Sequence, residues 1–462
     1  GLTLPLLDGF DELPADLHAT ALDALNRDLP PKQPVVLASR TAAYRDAVSR
    51  PGVMVRLNGA AGIQLLPLTA EQAATYLRRD AGGEHTPAAD RWATVISHLG
   101  TDTPVGQALS TPLGLFLART IYNPRPRVAP DTIPHPDELC DTAAFPTRAA
   151  LDAHLFNAYI PAAYTPYHPT PPRWPTHQAH RALVFLARHL ETNRNGSPDL
   201  AWWELHHAVP KRIRHLTFGL VMGLTTGLTA GLVFGPMVGL VVGLTLGLTL
   251  GRTVTPPNTP STRLRWSPGS LVPGLVAGLV FGLLVGLAFG LVAGLMFGLV
   301  FGLTLGLMIG LVFGLTLGLT GEKPDLTTMV GPAALLAQDR RTFLAFGLTA
   351  GLGFGLMVGL AAWLVTVNAA GLPDANAAGL VAMLAAGLAA VLVFGLEKTA
   401  WGSWMVARGY LAVRHYLPWD LMRSLQDAHE HRGVLRQVGA VYQFRHLDLQ
   451  RHLAQQPWPP TT

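Results

Sequence analysis

The chain has 462 residues, and only 14% of them are charged, compared with roughly 25% in an ordinary soluble domain. It contains 48 glycines, and apolar residues make up 49% of it. This composition indicates a membrane protein with soluble parts. The single cysteine excludes an intrachain disulfide framework. The formal net charge of +5 needs no nucleic acid to explain it, because the arginines flank apolar runs, where a membrane surface accounts for them.

The chain opens with an apolar run at 4–7, followed by the acidic segment Asp8-Gly9-Phe10-Asp11-Glu12. Such a run is typical of a buried strand, and the strand carries the acid that follows it to the edge of a sheet. This is the layout of a Walker B segment, in which the first carboxylate holds Mg²⁺ and a later acid activates a water. Acidic turns after strands are also common elsewhere, so the spacing alone favours an ordinary turn.

A second strand-like run at 34–38 ends in Ser39-Arg40. An apolar segment at 63–68 leads into a helical pattern, and Ser110-Thr111-Pro112 leads into another. We interpret 1–122 as an α/β unit with a parallel sheet.

Helical patterns then continue through 123–215, separated from the first part by a proline-rich stretch. Near its end, Trp202-Trp203 is interpreted either as an anchor at a membrane interface or as packing within the helical domain. His206-His207 and His429-Glu430-His431 lack metal-ligand spacing, and we interpret both as solvated helix faces.

Three long apolar runs follow at 216–251, 271–321 and 343–396, and the third is interrupted only by a polar turn at 371–376. A crossing needs roughly 20 residues, so the second and third runs each fit two crossings and a turn. The first fits either one long tilted helix or a hairpin of two short helices around Gly235-Pro236.

Loop charge favours the hairpin. Lys and Arg occur in the polar segments at 211–215, 252–265, 323–341 and from 398 onward, whereas 371–376 contains neither. If basic loops face the cytoplasm, each run leaves and returns on the same side. The sequence therefore predicts a multi-pass domain at 216–396 in the cell membrane, with both soluble ends cytoplasmic. The six predicted helices are 216–234, 237–251, 271–293, 298–320, 343–368 and 377–396.

Glycine recurs at every fourth position through most of these runs. Glycines at i and i+4 nearly stack on a helix, and small residues at this spacing let two backbones approach closely in lipid. The alternative is that the repeats are low-complexity apolar filler. The predicted spans contain no Asp, Glu, Lys, Arg or His, which argues against an ion pump or a secondary transporter. A pore lined by backbone groups and threonine hydroxyls is compatible with these spans.

The series of segments over 1–122 resembles, in this order, the NACHT family of STAND nucleotide-switch NTPases. The doubled acidic segment at 8–12 is the most specific part of the likeness. Residues 200–205 are similar to bacterial members, and so is the tail at 433–454, which resembles their winged-helix end.

The resemblance implies roles for six residues and a requirement for ATP and Mg²⁺. Asp8 would hold the metal, while Asp11 and Glu12 would serve hydrolysis. Arg40 would sense phosphate and Pro112 would lie against the base. His446 would touch the phosphate of the nucleotide in the closed, resting form. It also implies homo-oligomerisation on activation.

One departure from the family is serious: the 462 residues contain no GxxxxGK[ST] loop. We interpret the chain as a fragment that lacks the N-terminal part carrying this loop, and expect it to bind nucleotide poorly. ATP hydrolysis is accordingly an expectation for the full-length parent.

Together these observations predict a multidomain protein. A P-loop NTPase remnant with a parallel sheet at 1–122 precedes a helical domain at 123–215. A polytopic helical membrane bundle at 216–396 precedes a winged-helix-like tail at 397–462. Two functions remain open. One is a membrane-anchored signalling NTPase, and the other is a membrane structural or pore-forming protein with a degenerate NTPase scaffold.

Overall fold

The computed structural model is mostly helical and includes a small parallel sheet. It describes residues 4–29, 33–49, 55–123, 133–165, 171–253, 259–260, 263–266, 269, 271–293, 296, 298–300, 302–304, 306–307, 310, 314, 319–322, 331–370 and 372–458.

The N-terminal lobe is built on two short parallel strands. Strand β1 (Leu6–Leu7) pairs with β2 (Val36–Leu37), and the crossover between them contains helix α1 (His18–Asp28). Helix α2 (Thr41–Val48) follows β2 directly. A small core of Phe10, Leu22 and Ala47 holds this lobe together.

Five helices follow: α3 (Ala70–Asp80), α4 (Pro87–Asp90), α5 (Ala93–His98), α6 (Pro104–Ala108) and α7 (Pro112–Tyr122). Helices α4, α6 and α7 share one start signal, a threonine cap followed by proline, as in Thr111-Pro112. The threonine oxygen accepts an otherwise unpaired backbone N–H, and proline needs no hydrogen bond at that position. The apolar segment before α3 joins no strand, and its Ile63 and Leu65 are exposed.

A second soluble unit combines residues from both sides of the apolar runs. Before them lie α8 (Arg148–Ala163), α9 (Thr176–Arg188) and β3 (Asp199–Leu200). After them lie α15 (Ala400–Val413), α16 (Leu421–Glu430), β6 (Leu435–Val438), β7 (Val441–Phe444) and α17 (Leu447–Gln455). The strands form one antiparallel sheet in the order β3-β7-β6.

Hydrogen bonds close this unit across the apolar runs. The amide of Gln443 donates to Asp199 Oδ1 at 2.6 Å, and Arg188 Nε donates to the carbonyl of Ala454 at 3.1 Å. The guanidinium of Arg432 is fully buried, and it pairs with Asp427 at 3.1 Å. Residues from Ala73 to Val209 and from Ala400 to Leu453 share one hydrophobic core with Leu335, so helices α3 to α7 belong to this unit as well. They are one folded body rather than two separate domains, because β3 has β7 as its partner.

The apolar runs form long helices: α10 (Lys211–Phe234), α11 (Pro236–Thr253), α12 (Leu271–Ala293), α13 (Pro332–Ala370) and α14 (Leu372–Lys398). The described residues from 298 to 314 are also helical. In the described part of the chain, the stretches 332–360 and 376–393 are long and apolar enough to cross a membrane.

The helices pair through their glycines. A Cβ placed on Gly223 would lie 2.8 Å from the carbonyl oxygen of Gly243, and one on Gly286 would lie 2.6 Å from that of Gly298. Between α10 and α11 the chain turns at Gly235, whose φ of 92° is open to glycine and strained for other residues. The backbones are therefore in direct contact, as the four-residue spacing predicts.

Three boundaries differ from the sequence interpretation. Residues 319–322 do not extend the predicted helix 298–320; they form β5 (Leu319–Glu322), which pairs with β4 (Arg263–Trp266). Helix α13 begins at Pro332 rather than 343, because Asp339 is buried and accepts the backbone N–H of Trp401 at 2.6 Å. The predicted turn at 371–376 is shorter, since α14 starts at Leu372 and Pro373 fits its first turn.

Replacing Gly243 by alanine should destabilise the protein, because the new Cβ would meet Gly223 O at 2.7 Å and Gly227 Cα at 2.9 Å. Overpacking of this kind costs about 1–3 kcal/mol. The matched control is Gly409→Ala in α15, where no described heavy atom lies within 4 Å of the added Cβ, so helix propensity should stabilise by about 0.5–1 kcal/mol. Melting temperatures in detergent should move in opposite directions; an equal shift in both variants would contradict glycine-mediated packing.

Candidate functional site

Three of the expected site residues lie at the carboxyl ends of β1 and β2. Asp8 follows β1, and its Oδ1 accepts the backbone N–H of Gly9 at 3.0 Å. Gly9 has a φ of 82°, a left-handed conformation that favours glycine, and the turn places Phe10 in the small core. Asp11 then faces Arg40, the first residue after Ser39 at the end of the second strand segment.

Asp11 and Arg40 make two contacts. Oδ2 of Asp11 lies 3.1 Å from Arg40 Nε, and Oδ1 accepts the backbone N–H of Arg40 at 3.1 Å. The carboxylate is only 18% exposed, whereas the guanidinium is 67% exposed. The pair therefore fixes the loop after β2 to the turn after β1 and leaves the guanidinium accessible to an anion.

A hollow of about 450 Å³ lies beside this edge. Asp8 and Asp28 are the acids in its lining, and most of the remaining residues are apolar, including Leu7 and Leu25. Within the described residues, no group of three or more His, Cys, Asp or Glu could hold a metal ion. Mg²⁺ is commonly bound by one or two carboxylates together with substrate phosphates, so Asp8 is suited to hold it only in company with a phosphate ligand. Glu12 ends a short 3₁₀ helix at Phe10–Glu12.

Pro112 and His446 lie in the other soluble unit. Pro112 starts α7, and the ring of Phe116, one turn further along, is 5.9 Å from the imidazole of His446. His446 precedes α17. Burial, and then the charge of Arg445, lower the pKa of His446 below its ordinary value, so the ring is a neutral donor or acceptor at neutral pH.

The structure thus divides the expected residues into two sets. Asp8, Asp11 and Arg40 flank the small N-terminal core, while Pro112 and His446 flank the large one, and these are separate hydrophobic clusters among the described residues. A shared site needs the two sets to approach each other.

His206 is buried where the sequence interpretation expects a solvated face, and His189, which that interpretation does not single out, is buried as well. His206 is 3% exposed, and its Nδ1 donates to the carbonyl oxygen of Trp203 at 2.7 Å; His189 is 4% exposed. Burial lowers the pKa of each to about 4. Trp202 packs against Trp404 at a ring distance of 6.1 Å. The tryptophan pair therefore belongs to the soluble core, and its packing partners come from beyond the apolar runs, which no local pattern reveals.

Searches for a matching protein family, a curated relative or a similar solved structure return no match for this chain.

The pair of Asp11 with Arg40 should contribute little to stability by itself. Replacing Arg40 by glutamine should cost less than about 1 kcal/mol, because an exposed ion pair is screened by solvent. Asp11→Ala should cost about 1 kcal/mol more, since it also removes the acceptor for a backbone N–H. Thermal unfolding measures both, with Arg27→Gln in the exposed pair with Asp23 as the control. A larger loss for Arg40→Gln than for Asp11→Ala would contradict the assigned geometry.

Proposed function

We propose that this chain belongs to a membrane-anchored signalling NTPase of the STAND/NACHT type, an ATP-dependent switch coupled to defence or stress signalling. The parallel pairing of β1 with β2 is the observation that carries the proposal. Because parallel strands end at the same edge of a sheet, Asp8, Asp11 and Arg40 follow one edge together, which supports a site for a metal-bound triphosphate there.

The proposed roles follow from this placement and from the family likeness. Asp8 holds Mg²⁺ on the phosphates, and Arg40 reads the terminal phosphate with its exposed guanidinium. Asp11 and Glu12 serve the attacking water. In the closed form Pro112 lies against the base and His446 contacts a phosphate.

A bound nucleotide would contact both sets of residues at once. They belong to separate cores, so a ligand that contacts both favours the arrangement in which the N-terminal lobe lies close to α7 and α17. A ligand shifts such a two-state equilibrium by its difference in affinity for the two states. Exchange or hydrolysis of ATP would then release the lobe from His446.

The C-terminal half supports a winged-helix interpretation of this closing surface. The sheet order β3-β7-β6, with α15 and α16 before the β6–β7 hairpin, is the arrangement expected of such a module. Its first strand comes from before the apolar runs, so the helices α10 to α14 are inserted within this module. A change in the module therefore acts on both ends of the inserted helices.

We place the inserted helices in the cell membrane as three hairpins, with both soluble units cytoplasmic. The Lys and Arg residues lie near the ends where the hairpins join the soluble unit, at 211–214, 252, 340–341 and 398. The segments 235–236, 294–297 and 371–376 contain neither residue. Basic segments stay on the cytoplasmic side, and the exposed leucines of the hairpins, such as Leu220 and Leu244, suit contact with the lipid bilayer. Homo-oligomerisation on activation is part of this proposal, on the family likeness.

A second candidate is a membrane structural or pore-forming protein with a degenerate NTPase scaffold. The close glycine packing of the helices favours it, because such hairpins are rigid units that need no nucleotide to assemble. Release of a dye from liposomes by the purified chain, without nucleotide, would favour this candidate over the switch.

In a full-length parent that carries a P-loop, ATP should be hydrolysed in the presence of Mg²⁺, and Glu12→Gln should trap the protein with nucleotide bound. The reason is that glutamine keeps the shape of the side chain and removes the base that activates water. Phosphate release and retained nucleotide are the two measurements, with Glu71→Gln on α3 as the control. An unchanged rate of ATP hydrolysis in Glu12→Gln would contradict the proposed switch.

Membrane orientation is tested with single cysteines in a Cys140→Ser background. Ala377→Cys, near the start of α14, and Lys211→Cys, at the start of α10, replace residues that are both exposed in the structure. An impermeant maleimide should label Ala377→Cys on intact cells and Lys211→Cys only after permeabilisation. Labelling of both on intact cells, or of Lys211→Cys alone, would overturn the orientation.

A further inference from the structure

A polar cleft of about 800 Å³ lies between α8, α9 and α17. Its lining includes Asn157, His177, His180, Arg181, His452 and Gln456, and none of the residues assigned to the nucleotide. The volume falls in the range of small-molecule sites, about 300–1,000 Å³. The cleft is formed by a helix from after the apolar runs resting on two helices from before them.

The lining of the cleft contains an arginine and three histidines, and no aspartate or glutamate. Burial lowers the pKa of His180 and of His452, so Arg181 supplies the permanent positive charge. Nε of Arg181 is buried and has no hydrogen-bond partner among the described residues. This nitrogen is closed to solvent, so the terminal NH₂ groups of the guanidinium, which lines the cleft, are the donors that an anion there would meet.

The neutral side chains of the cleft are already held in place. Oδ1 of Asn157 accepts from His452 Nε2 at 2.8 Å and from the amide of Gln456 at 2.9 Å. Gln456 in turn bonds to His180, and the ring of Phe156 lies 5.3 Å from that of His452. With its oxygen used twice, Asn157 has its amide N–H groups left to donate. A preorganised set of donors loses little entropy when a ligand binds.

The first turn of α9 also favours a bound anion. Thr176 and His177 open this helix, its cap Pro175 offers no side-chain hydrogen bond, and no acid lies in the turn. The helix dipole favours negative charge there.

We propose that this cleft binds a phosphate group, with Arg181 as its charged contact and His177 and Asn157 as further donors. Arginine suits phosphate because its planar fork donates two hydrogen bonds. A bound phosphate ligand bridges α8 and α9 and so stabilises the soluble unit around the inserted helices. The proposal is independent of ATP binding at Asp8 and Arg40.

Thermal unfolding of the full chain in detergent tests the cleft, with pyrophosphate as the probe and chelator present to remove Mg²⁺. Pyrophosphate should raise the melting temperature in a concentration-dependent way. Arg181→Gln should weaken the apparent affinity by roughly tenfold or more, since a charge-assisted hydrogen bond is lost. Arg451→Gln is the matched control, because Arg451 lies on α17 with a side chain that is 56% exposed and outside the cleft lining.

Two further variants keep the result interpretable. His177 is exposed, so His177→Glu should fold normally and abolish the effect by charge repulsion, even if Arg181→Gln fails to fold. Arg40→Gln should leave the effect unchanged; loss in that variant would place the phosphate at the proposed nucleotide site and overturn the cleft. Dihexanoyl phosphatidic acid tests where the phosphate group comes from. If this lipid raises the melting temperature and pyrophosphate does not, the ligand is a lipid headgroup. If pyrophosphate raises it, the ligand is a soluble phosphate compound. Protection by neither, or equal protection in Arg181→Gln, refutes the proposal.

Discussion

The pairing of β3 with β7 is the constraint on which the rest of the molecule depends. Its hydrogen-bonded residues Asp199 and Gln443 are 244 positions apart in sequence, and the apolar helices lie between them. A sheet tolerates only a few ångströms of separation between neighbouring strands, so the chain must return to the place from which it leaves. Any crossing of a membrane within the insertion is therefore matched by a return crossing. This reason for an even number of crossings is independent of loop charge.

Hairpins meet this constraint, and glycine determines how they are packed. Lipid tails are as apolar as leucine, so burial of apolar surface does not drive helices together in a bilayer, and close backbone contact must do so. In α10 and α11 the contact is made by Gly223 and Gly243, while the leucines next to the glycines remain exposed. The same repeat thus serves two surfaces, with glycine facing the partner helix and leucine facing outward. This division argues against the interpretation of the repeat as mere filler.

The sequence is informative where structure is set by near neighbours. Apolar length and glycine spacing predict 271–293, which coincides with α12, and the strand-like runs at 4–7 and 34–38 contain the parallel pair β1 and β2. The sequence is uninformative where the residue that completes a contact is distant along the chain. Nothing near Asp199 indicates that β7 completes its sheet, and nothing near Asp339 indicates that a polar residue inside a helix is buried against Trp401. For the candidate site, spacing finds the acids and Arg40, but only the fold shows that His446 belongs to another core.

The contact of Asp339 with Trp401 also explains how the two parts of the molecule can influence each other. Asp339 is fully buried, and it accepts the first turn's N–H of α15, a helix of the soluble unit. Beside it, Phe343 packs on the Trp401 ring at 4.7 Å and joins Phe218, Met222 and Leu396 in a cluster. Three inserted helices and α15 therefore meet at one point. Since a close-packed cluster transmits displacement instead of absorbing it, a rotation of α15 must tilt those helices or open the cluster.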